Sequence, residues 1–388
     1  MLPFSFHNPT RIIFGEGTAG QVGTVTATYG TKVLLVYGGN SIKQSGLYDN
    51  VIEQLTNSGV QYVELTGIEP NPRLTSVYEG IALCREHNVD FILAVGGGSV
   101  IDASKAIAAG VPYEGDVWDF FTNKARIESA LPLGTILTLS ATGTEMNGSM
   151  VISHWESKLK RGSGSPHVYP RFSILDPTLT FTVPEHQTVY GSIDIMSHVF
   201  EQYFSLTTDT PLQERFCESI LQTVIENVEI AIANPNDSAA RANLMWCSTM
   251  ALNGGQISLG MRNDWASHGI EHEISAIYDI PHGAGLSIVF PNWMEYVYKE
   301  RPSRFAQYAT RVWGISSEGK TEDELALAGI QATRDFFTKI GGEATLSQFE
   351  IDGSQLERMA VEAVRYGPIG SFKQLQQEDV HAILKNCL

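Results

Sequence analysis

The pattern of the chain changes near residue 184, and this change limits the folds that it can adopt. Before that point, short apolar runs typical of buried strands alternate with segments of helical periodicity. The strand-like runs are KVLLVYGG (32–39), VQYVELTG (60–67), FILAVGGG (91–98), GTILTLS (134–140) and FSILD (172–176). Strands separated by helices indicate parallel pairing, because parallel strands need crossover connections, and continuous apolar runs suit a sheet that is covered on both faces. The first half therefore predicts an α/β domain with a Rossmann-like parallel sheet.

The second half lacks such runs and carries apolar residues at helical spacing instead. Its clearest helical segments are 211–234, 238–256, 323–341 and 355–367. A chain of 388 residues is long enough for two cores, because single cores stop growing near about 250–300 residues. We therefore expect an α/β domain over residues 1–183, followed by an all-α domain over residues 184–388.

Composition and charge narrow the possible partners. The formal net charge of −17 repels a phosphate backbone, which disfavours nucleic acid as a partner. No apolar run approaches the roughly 20 residues of a membrane helix, and the start of the chain does not resemble a secretory signal. The four cysteines form no CxxC pair, and we expect free thiols in a cytoplasmic protein: Cys84, Cys217, Cys247 and Cys387.

One glycine-rich turn matches the residue pattern of the dinucleotide fingerprint but lacks the sequence context that the fingerprint requires. GEGTAG (15–20) fits G-x-G-x-x-G, but the residues that follow it are a poor helix. The next strand ends in Gly38, Gly39 and Asn40, without the acid that the fingerprint requires. A tight turn is therefore the favoured interpretation of this segment.

A second glycine-rich turn, AVGGGSVIDASKAIA (94–108), is the stronger candidate for a cofactor site. A strand, three glycines and a helix follow one another, with Ser99 expected at the N-cap. Glycines let a diphosphate approach the free N–H groups of a helix N-terminus, so we predict phosphate binding here. TLSATGTE (138–145) follows the next strand, and its small hydroxyl residues suit either the same groove or an ordinary loop.

Histidines and one aspartate cluster in the helical half. Asp194 and His198 lie four residues apart, as do His268 and His272, so each pair shares a helix face. Pro281 should end the second helix and leave His282 on the following loop. Each pair alone is also compatible with a structural hydrogen bond, and spacing does not separate His268 from His272. Together the groups favour one metal site, and a carboxylate with imidazoles suits Fe(II) or Zn(II).

With these residues in view, the whole chain resembles the iron-containing alcohol dehydrogenases. It is most similar to their branch of NADPH-dependent aldehyde reductases and butanol dehydrogenases. The resemblance rests on the order and spacing of NPTRIIFGEG, GGGSVIDASK, ATGTEMN, ILDPTLTFTVP, DIMSH and HGIEHEISAIYDIPHG. It implies a dehydroquinate synthase-like architecture, with a Rossmann-like α/β domain before an all-α domain.

The resemblance also implies roles for individual residues. The metal ligands of the family fall on Asp194, His198, His268 and His282. His272 matches a position beside the metal, facing nicotinamide and substrate, and is our candidate catalytic residue for proton relay. The positions that match cofactor-binding segments are Gly96, Gly97, Gly98, Ser99, Asp102, Thr138, Ser140, Thr144 and Lys160.

The turn after the first long strand bears on the choice of cofactor. NADH-using members of the family tend to carry an aspartate there, whereas this chain has Gly38, Gly39, Asn40 and Ser41. A carboxylate would repel a 2′-phosphate, and glycine N–H groups with small polar side chains accept one. We therefore expect NADP(H) rather than NAD(H).

The resemblance leads to an expected activity and to three alternatives. We expect a metal-dependent alcohol dehydrogenase or aldehyde reductase that acts on short-to-medium aliphatic substrates and forms a homodimer. A glycerol or polyol dehydrogenase with NAD and zinc, a dehydroquinate synthase-like lyase and a non-enzymatic metal-binding protein remain alternatives. Arg262 is the only lysine or arginine in segments 190–204 and 262–290, which favours an uncharged substrate. Ile257, Met261, Trp265 and Met294 are candidates for an apolar pocket, although helix core suits most of them better.

Overall fold

The computed structural model describes all residues from 1 to 388. It contains eight strands: β1 (Arg11–Phe14), β2 (Lys32–Tyr37), β3 (Gln61–Leu65), β4 (Phe91–Gly96), β5 (Leu133–Leu137), β6 (Ser149–His154), β7 (Leu159–Gly164) and β8 (Phe172–Leu175). Five helices precede residue 184: α1 (Val22–Thr26), α2 (Ser41–Gln44), α3 (Leu47–Asn57), α4 (Leu74–His87) and α5 (Gly98–Gly110). The nine later helices are α6 (Glu185–Tyr203), α7 (Pro211–Ala233), α8 (Ser238–Ala251), α9 (Ala266–Tyr278), α10 (His282–Val297), α11 (Pro302–Arg311), α12 (Glu322–Ile340), α13 (Leu356–Ala363) and α14 (Gln377–Asn386).

Six strands form one sheet in the order β1-β8-β5-β4-β2-β3, and every pair in it is parallel. The five predicted strands are all present, and β2, β4, β5 and β8 are buried on both faces of this sheet, whereas the edge strand β3 is partly exposed. Leu34 and Ile92 belong to one hydrophobic cluster, whereas Leu35 and Leu93 belong to the cluster on the opposite face. This alternation explains why the strands of a covered parallel sheet show no polar side in the sequence.

A two-stranded antiparallel hairpin, β6–β7, lies outside the large sheet and was not predicted. Its sequence gives a weak strand signal, because β7 contains two glycines, two basic residues and a serine among its six residues. The backbone reverses through Trp155–Ser157 and through Lys158, which adopts a left-handed conformation. The hairpin carries Lys160, one of the predicted cofactor residues, on its second strand.

The chain divides into two compact units, and one boundary between them falls between Pro184 and Glu185. The α/β unit contains His7–Pro184 together with Ala233–Gly254. The helical unit contains Met1–Phe6, Glu185–Ile232 and Gly255–Leu388. Helix α8 therefore belongs to the α/β unit, where its Trp246 packs edge-to-face against Phe14 of β1. The predicted division into 1–183 and 184–388 is simpler, because it assigns Met1–Phe6 to the first domain and α8 to the second.

Two local predictions about helix starts were wrong. Helix α5 begins at Gly98 with Gly97 as its N-cap, so Ser99 is the second helical residue and caps nothing. Helix α9 ends at Tyr278, before Pro281, as expected. His282, however, is the first residue of α10 rather than part of a loop, because Pro281 occupies the N-cap position of that helix.

No helix is both long and apolar enough to cross a membrane, and all four cysteines are free and buried.

Candidate active site

Three helices of the helical unit bring the predicted metal ligands together. Helix α6 carries Asp194 and His198 on a stretch that is buried almost throughout from Thr188 to Tyr203. Helix α9 contributes His268, and the first residue of α10 is His282. The short connection between α9 and α10 turns the chain back sharply, which explains how residues of successive helices reach one point.

The ligand atoms of this cluster converge on one carboxylate oxygen, Asp194 Oδ1. This atom lies 3.5 Å from His198 Nδ1, 3.9 Å from His268 Nε2 and 3.7 Å from His282 Nε2. Asp194 Oδ1, His198 Nδ1 and His268 Nε2 are buried, and none of them has a hydrogen-bond partner. Buried polar atoms are rarely left in this state, so the cluster has the character of a ligand site.

One member of the cluster is set slightly apart. Asp194, His268 and His282 each offer a ligand atom, and these atoms all lie within 4.8 Å of one another. His198 is not part of that set, although its ring stacks on the ring of His268 with a centroid separation of 4.7 Å. Four-fold coordination that includes His198 therefore requires a small rotation of its ring.

Two buried glutamates, which the sequence analysis missed, orient two of the imidazoles. His268 Nδ1 lies 2.8 Å from Glu201 Oε1, and His282 Nδ1 contacts Glu271 Oε2. A hydrogen bond at Nδ1 leaves Nε2 of the same ring directed at Asp194. Glu201 lies seven residues after Asp194 and three after His198, so all three share one face of α6. This helical spacing could have identified Glu201 from the sequence.

Burial and mutual charge determine the protonation of the cluster. Burial opposes ionisation of Asp194, but the imidazoles of His198, His282 and His268 outweigh it and lower the Asp194 pKa to about 2. Burial lowers the pKa of His198 to about 4. Burial also favours neutral His268, yet the carboxylates of Asp194 and Glu201 raise its pKa to about 9. At neutral pH the cluster therefore combines a carboxylate, a neutral His198 and a protonated His268.

His272 lies beside this cluster rather than at its centre. Its ring centroid is 5.5 Å from that of His282 and 6.5 Å from that of His268. With Glu271 and His282 it forms a second set of three potential ligands. Two neighbouring sets of three potential ligands therefore share His282. Only the set with Asp194 and His268 contains the unpartnered Asp194 oxygen.

In the α/β unit, the predicted cofactor segments follow the carboxyl ends of three adjacent strands. Residues 38–41 follow β2, residues 97–99 follow β4 and residues 138–145 follow β5. The carboxyl ends of parallel strands are where such sheets bind ligands. The sheet therefore gathers the glycine turn, the half-buried Thr138 and Ser140 and the turn after β2 at one edge.

Close packing accounts for part of the three-glycine pattern. A Cβ at Gly96 would lie 2.5 Å from Val100 Cγ2, and one at Gly98 would lie 2.5 Å from Thr142 Oγ1. Gly97 is less crowded, since its Cβ would lie 3.2 Å from Leu139 Cβ. Gly96 and Gly98 are therefore required by the contacts of the turn itself, independently of any phosphate.

Asp102 and Thr144, both predicted cofactor residues, are bonded to each other inside the protein. Thr144 Oγ1 donates to Asp102 Oδ1 at 2.6 Å, and Val151 N donates to Asp102 Oδ2 at 2.9 Å. The buried ammonium of Lys105 lies within 3.1 Å of five oxygens, which belong to Thr144, Asn147 and Ser149. These contacts fasten helix α5 to the segment that carries Thr144, so both residues have a structural role.

The turn after β2, residues 38–41, contains no charged side chain, and Lys43 follows it two residues later. A Cβ at Gly39 would meet no atom within 4 Å, so this residue is open. The carboxylate of Glu64 accepts hydrogen bonds from Tyr37 at 2.5 Å and from Tyr48 at 2.9 Å. Lys43 Nζ lies over the rings of the same two tyrosines, 5.4 and 4.9 Å from their centroids.

The four residues predicted as candidates for an apolar pocket differ in their burial. Ile257, Met261 and Met294 are buried among the helices and belong to the core. Trp265 is 36% exposed, and its ring lies 5.3 Å from that of His268 and 6.2 Å from that of His198.

Comparison with known proteins agrees with this geometry. The model of the family described as iron-containing alcohol dehydrogenase matches residues 9–177. The model of the C-terminal part of the Fe-containing alcohol dehydrogenase family matches residues 188–388. The chain belongs to the iron-containing alcohol dehydrogenase family. Its membership confirms the predicted resemblance, the prediction of an enzyme, and the activity class of alcohol dehydrogenase or aldehyde reductase.

Individual members of the iron-containing alcohol dehydrogenase family are similar along the full chain. The probable NADH-dependent butanol dehydrogenase 1 of Bacillus subtilis is 52% identical over 388 residues, with 100% of both chains covered. The NADPH-dependent aldehyde reductase YqhD of Escherichia coli is 40% identical over 367 residues, or 94% of this chain and 93% of the relative.

Solved structures of the family support the same conclusion. The structure of NADH-dependent butanol dehydrogenase A from Thermotoga maritima has a TM-score of 0.96 at 42% identity, and covers 100% of this chain and 99% of that one. The predicted fold, a parallel α/β domain followed by a helical region in a dehydroquinate synthase-like architecture, is thereby confirmed.

Proposed function

We propose that the protein is a metal-dependent aldehyde reductase and alcohol dehydrogenase that uses NADP(H) and acts on short-to-medium aliphatic aldehydes and alcohols. The observation that carries the proposal is the convergence of three imidazoles on the unpartnered Asp194 Oδ1, at 3.5 to 3.9 Å. Family membership supports the activity class, whereas the cofactor preference, the metal and the substrate range are proposals.

The spacing of the cluster fits a first-row divalent metal. With metal–ligand bonds of about 2.1 Å, the ligand atoms of a tetrahedral site lie about 3.4 Å apart. The observed separations from Asp194 Oδ1 are slightly larger, so the ligands must move inward, and His198, which lies outside the set within 4.8 Å, must also rotate its ring. One carboxylate and three imidazoles suit Fe(II) or Zn(II), and we propose Asp194, His198, His268 and His282 as the ligands.

The residues of the site prepare an aldehyde for reduction. When bound, a divalent metal supplies Lewis acidity toward a carbonyl or alcohol oxygen, and a reduced nicotinamide supplies the hydride. Glu201 and Glu271 hold the rings of His268 and His282 through Nδ1, which keeps their Nε2 atoms directed at Asp194. We propose that His272, next to His282, relays a proton between solvent and the substrate oxygen.

The proposal of NADP(H) rests on the turn after β2. Gly38, Gly39, Asn40 and Ser41 place no carboxylate there, and the Cβ position of Gly39 is open. The carboxylate of Glu64 already accepts two tyrosine hydroxyls, and Lys43 adds a positive charge. A 2′-phosphate therefore meets N–H groups and a cation, rather than the acid that would bind a 2′-hydroxyl. Two of the relatives named above are described as NADH-dependent, so the preference needs a direct comparison of both cofactors.

An uncharged substrate suits the surroundings of the metal cluster. Segments 190–204 and 262–290 contain Arg262 as their only lysine or arginine. A phosphorylated substrate of the kind used by a dehydroquinate synthase-like lyase needs several cations. We therefore propose a simple aldehyde rather than an anionic substrate.

The test combines metal analysis with an activity assay. The purified protein is analysed for Fe and Zn, and NADPH and NADH oxidation with butanal is followed before chelation, after chelation and after re-addition of each ion. We expect activity that falls with the metal and returns with it, and a lower KM for NADPH. Activity that resists complete metal removal would contradict the metal mechanism. Stoichiometric metal with turnover of glycerol but not of butanal would favour the polyol alternative.

We also propose a homodimer, which the family resemblance implies. Light scattering on the eluting protein distinguishes the monomer mass of 42.5 kDa from twice that value. A single species at the monomer mass across micromolar concentrations would contradict this part of the proposal.

A further inference from the structure

Trp265 combines an unusual backbone with an unusual position. It has φ 68° and ψ 12°, in the left-handed region, immediately before helix α9. Eight non-glycine residues of the chain have positive φ, and Trp265 is the only aromatic one among them. A bulky side chain in this region is strained, and such strain persists where the surrounding structure enforces it, often at functional sites.

The same carboxylate that orients a predicted metal ligand also enforces this strain. Trp265 N donates a hydrogen bond of 2.6 Å to Glu201 Oε2. Glu201 Oε1 accepts the backbone N–H of His268 at 3.0 Å and lies 2.8 Å from His268 Nδ1. Glu201 thus couples the position of the indole to that of the imidazole.

The indole is the exposed apolar group next to the metal cluster. Its ring lies 5.3 Å from the ring of His268 and 6.2 Å from that of His198, and 36% of the residue remains exposed. The other apolar candidates from the sequence, Ile257, Met261 and Met294, are buried in the core and offer no surface to a ligand. The metal cluster is therefore flanked by an indole that keeps part of its surface exposed.

We propose that Trp265 is a specificity-determining residue whose exposed face packs against the hydrocarbon chain of the substrate. The residue then favours aldehydes with an unbranched alkyl or an aromatic group over polyols, whose hydroxyls lose hydration against an indole without gaining partners. This inference rests on the proposed function, because it requires the substrate oxygen to bind at the Asp194 cluster.

Chain-length dependence gives the effect a measurable size. Complete burial of one methylene changes binding by about fourfold, and an indole covers only one side of the chain. Between propanal and hexanal, three methylenes in one-sided contact change kcat/KM by roughly five- to tenfold. The wild-type enzyme should therefore prefer hexanal to propanal by at least that factor.

The experiment compares Trp265→Gly and Trp265→Phe with Trp246→Phe in the metal-loaded enzyme. Glycine removes the indole and accepts positive φ without strain. Trp246 is a matched control, because it is 42% exposed and contacts another aromatic ring, Phe14, outside the helical unit. Metal content and thermal midpoint are measured for each variant. Hexanol binding is followed by tryptophan fluorescence in the absence of cofactor.

We expect Trp265→Gly to keep its metal and to lose most of the preference for hexanal over propanal. Trp265→Phe should lose part of that preference and the hexanol-dependent fluorescence change, whereas Trp246→Phe should retain both. An unchanged hexanal-to-propanal ratio in a metal-loaded Trp265→Gly enzyme would overturn the inference, as would an equal loss on both aldehydes. Failure of the wild-type enzyme to reduce any aldehyde would instead reject the proposed function, and the fluorescence titration would still test the indole contact.

Discussion

Glu201 accepts both the backbone N–H and the ring Nδ1 of His268 with one oxygen, at 3.0 and 2.8 Å. The contact fixes the tautomer and the orientation of the imidazole, because a hydrogen bond at Nδ1 leaves Nε2 for a ligand. A carboxylate behind a histidine ligand is also a common way of strengthening its bond to a metal. Glu201 therefore contributes to the candidate metal site without being a ligand, because it holds the ring of His268 in place.

Replacement of this glutamate should weaken metal binding without abolishing the fold. Glu201→Gln keeps the shape and an oxygen acceptor but removes the charge beside His268. We expect metal affinity to fall about 10- to 100-fold, measured by competition with a chelator of known affinity. Glu145→Gln is the matched control, because Glu145 is also fully buried but bonds to Thr249 in the α/β unit. An affinity equal to that of the control would show that Glu201 does not act through the metal.

Metal binding should release a proton at neutral pH. His268 has a pKa of about 9 in the metal-free protein and must lose its Nε2 proton to become a ligand. A proton on His268 therefore competes with the metal below pH 9, and affinity should rise as pH rises towards that value. His198, with a pKa of about 4, contributes no such competition above pH 5. Calorimetry in buffers of different ionisation enthalpy measures the released protons, and a value of zero at pH 7 would be inconsistent with His268 as a ligand.

Two histidine variants distinguish a ligand from a neighbouring proton relay. His282→Ala should lose most of the bound metal and the activity with it. His272→Ala should keep the metal but slow turnover or shift its pH profile, because its ring lies beside that of His282 and outside the Asp194 set. Metal content and pH–rate profiles are measured for both proteins. Loss of metal from His272→Ala would indicate that the triad of Glu271, His272 and His282 holds the ion.

A single acid in the turn after β2 should change the cofactor preference. Gly39 has open space at its Cβ position, so Gly39→Asp introduces charge without a clash. We expect the KM for NADPH to rise far more than the KM for NADH, because a carboxylate repels a 2′-phosphate and accepts a 2′-hydroxyl. Gly39→Asn, which is similar in size but neutral, is the control. Equal effects of the aspartate on both cofactors would refute the assignment of this turn to the 2′-phosphate.

Lys105 should be a large contributor to the stability of the α/β unit. Lys105→Met removes the charge that holds five buried oxygens of the segment around Thr144, Asn147 and Ser149. Leaving such acceptors unpaired should cost about 3 kcal/mol or more in unfolding free energy. Denaturant unfolding provides the measurement, with Lys124→Met as an exposed control that should change stability by less than about 0.5 kcal/mol. A similar small change in both variants would contradict the proposed role of the ammonium.

The sequence predicted those features that depend on strong, continuous patterns. The strands β2, β4 and β5 were recognisable because both of their faces are buried. The hairpin β6–β7 was missed because β7 is largely polar and contains two glycines, although both of its strands are as long as β2 and β4. The placement of α8 in the α/β unit depends on contacts between residues far apart in sequence, such as that of Glu145 with Thr249, and no local pattern encodes it.

The candidate site shows a similar limit. Residues at helical spacing, such as Asp194 and His198, could be paired from the sequence, and the helix end before Pro281 was foreseeable. Spacing alone did not separate His268 from His272, because both lie on one face of α9. Glu201 and Glu271 escaped notice because a glutamate in a helix is usually solvent-exposed, and only the fold shows that both are buried.

The proposed metal ligands can be identified by anomalous diffraction from crystals of the metal-loaded protein, recorded on both sides of the Fe and Zn absorption edges. We predict one peak per chain, within bonding distance of a carboxylate oxygen of Asp194 and of one nitrogen each of His198, His268 and His282. A peak held instead by Glu271, His272 and His282, or no peak at this cluster in an active enzyme, would contradict the proposed set of metal ligands.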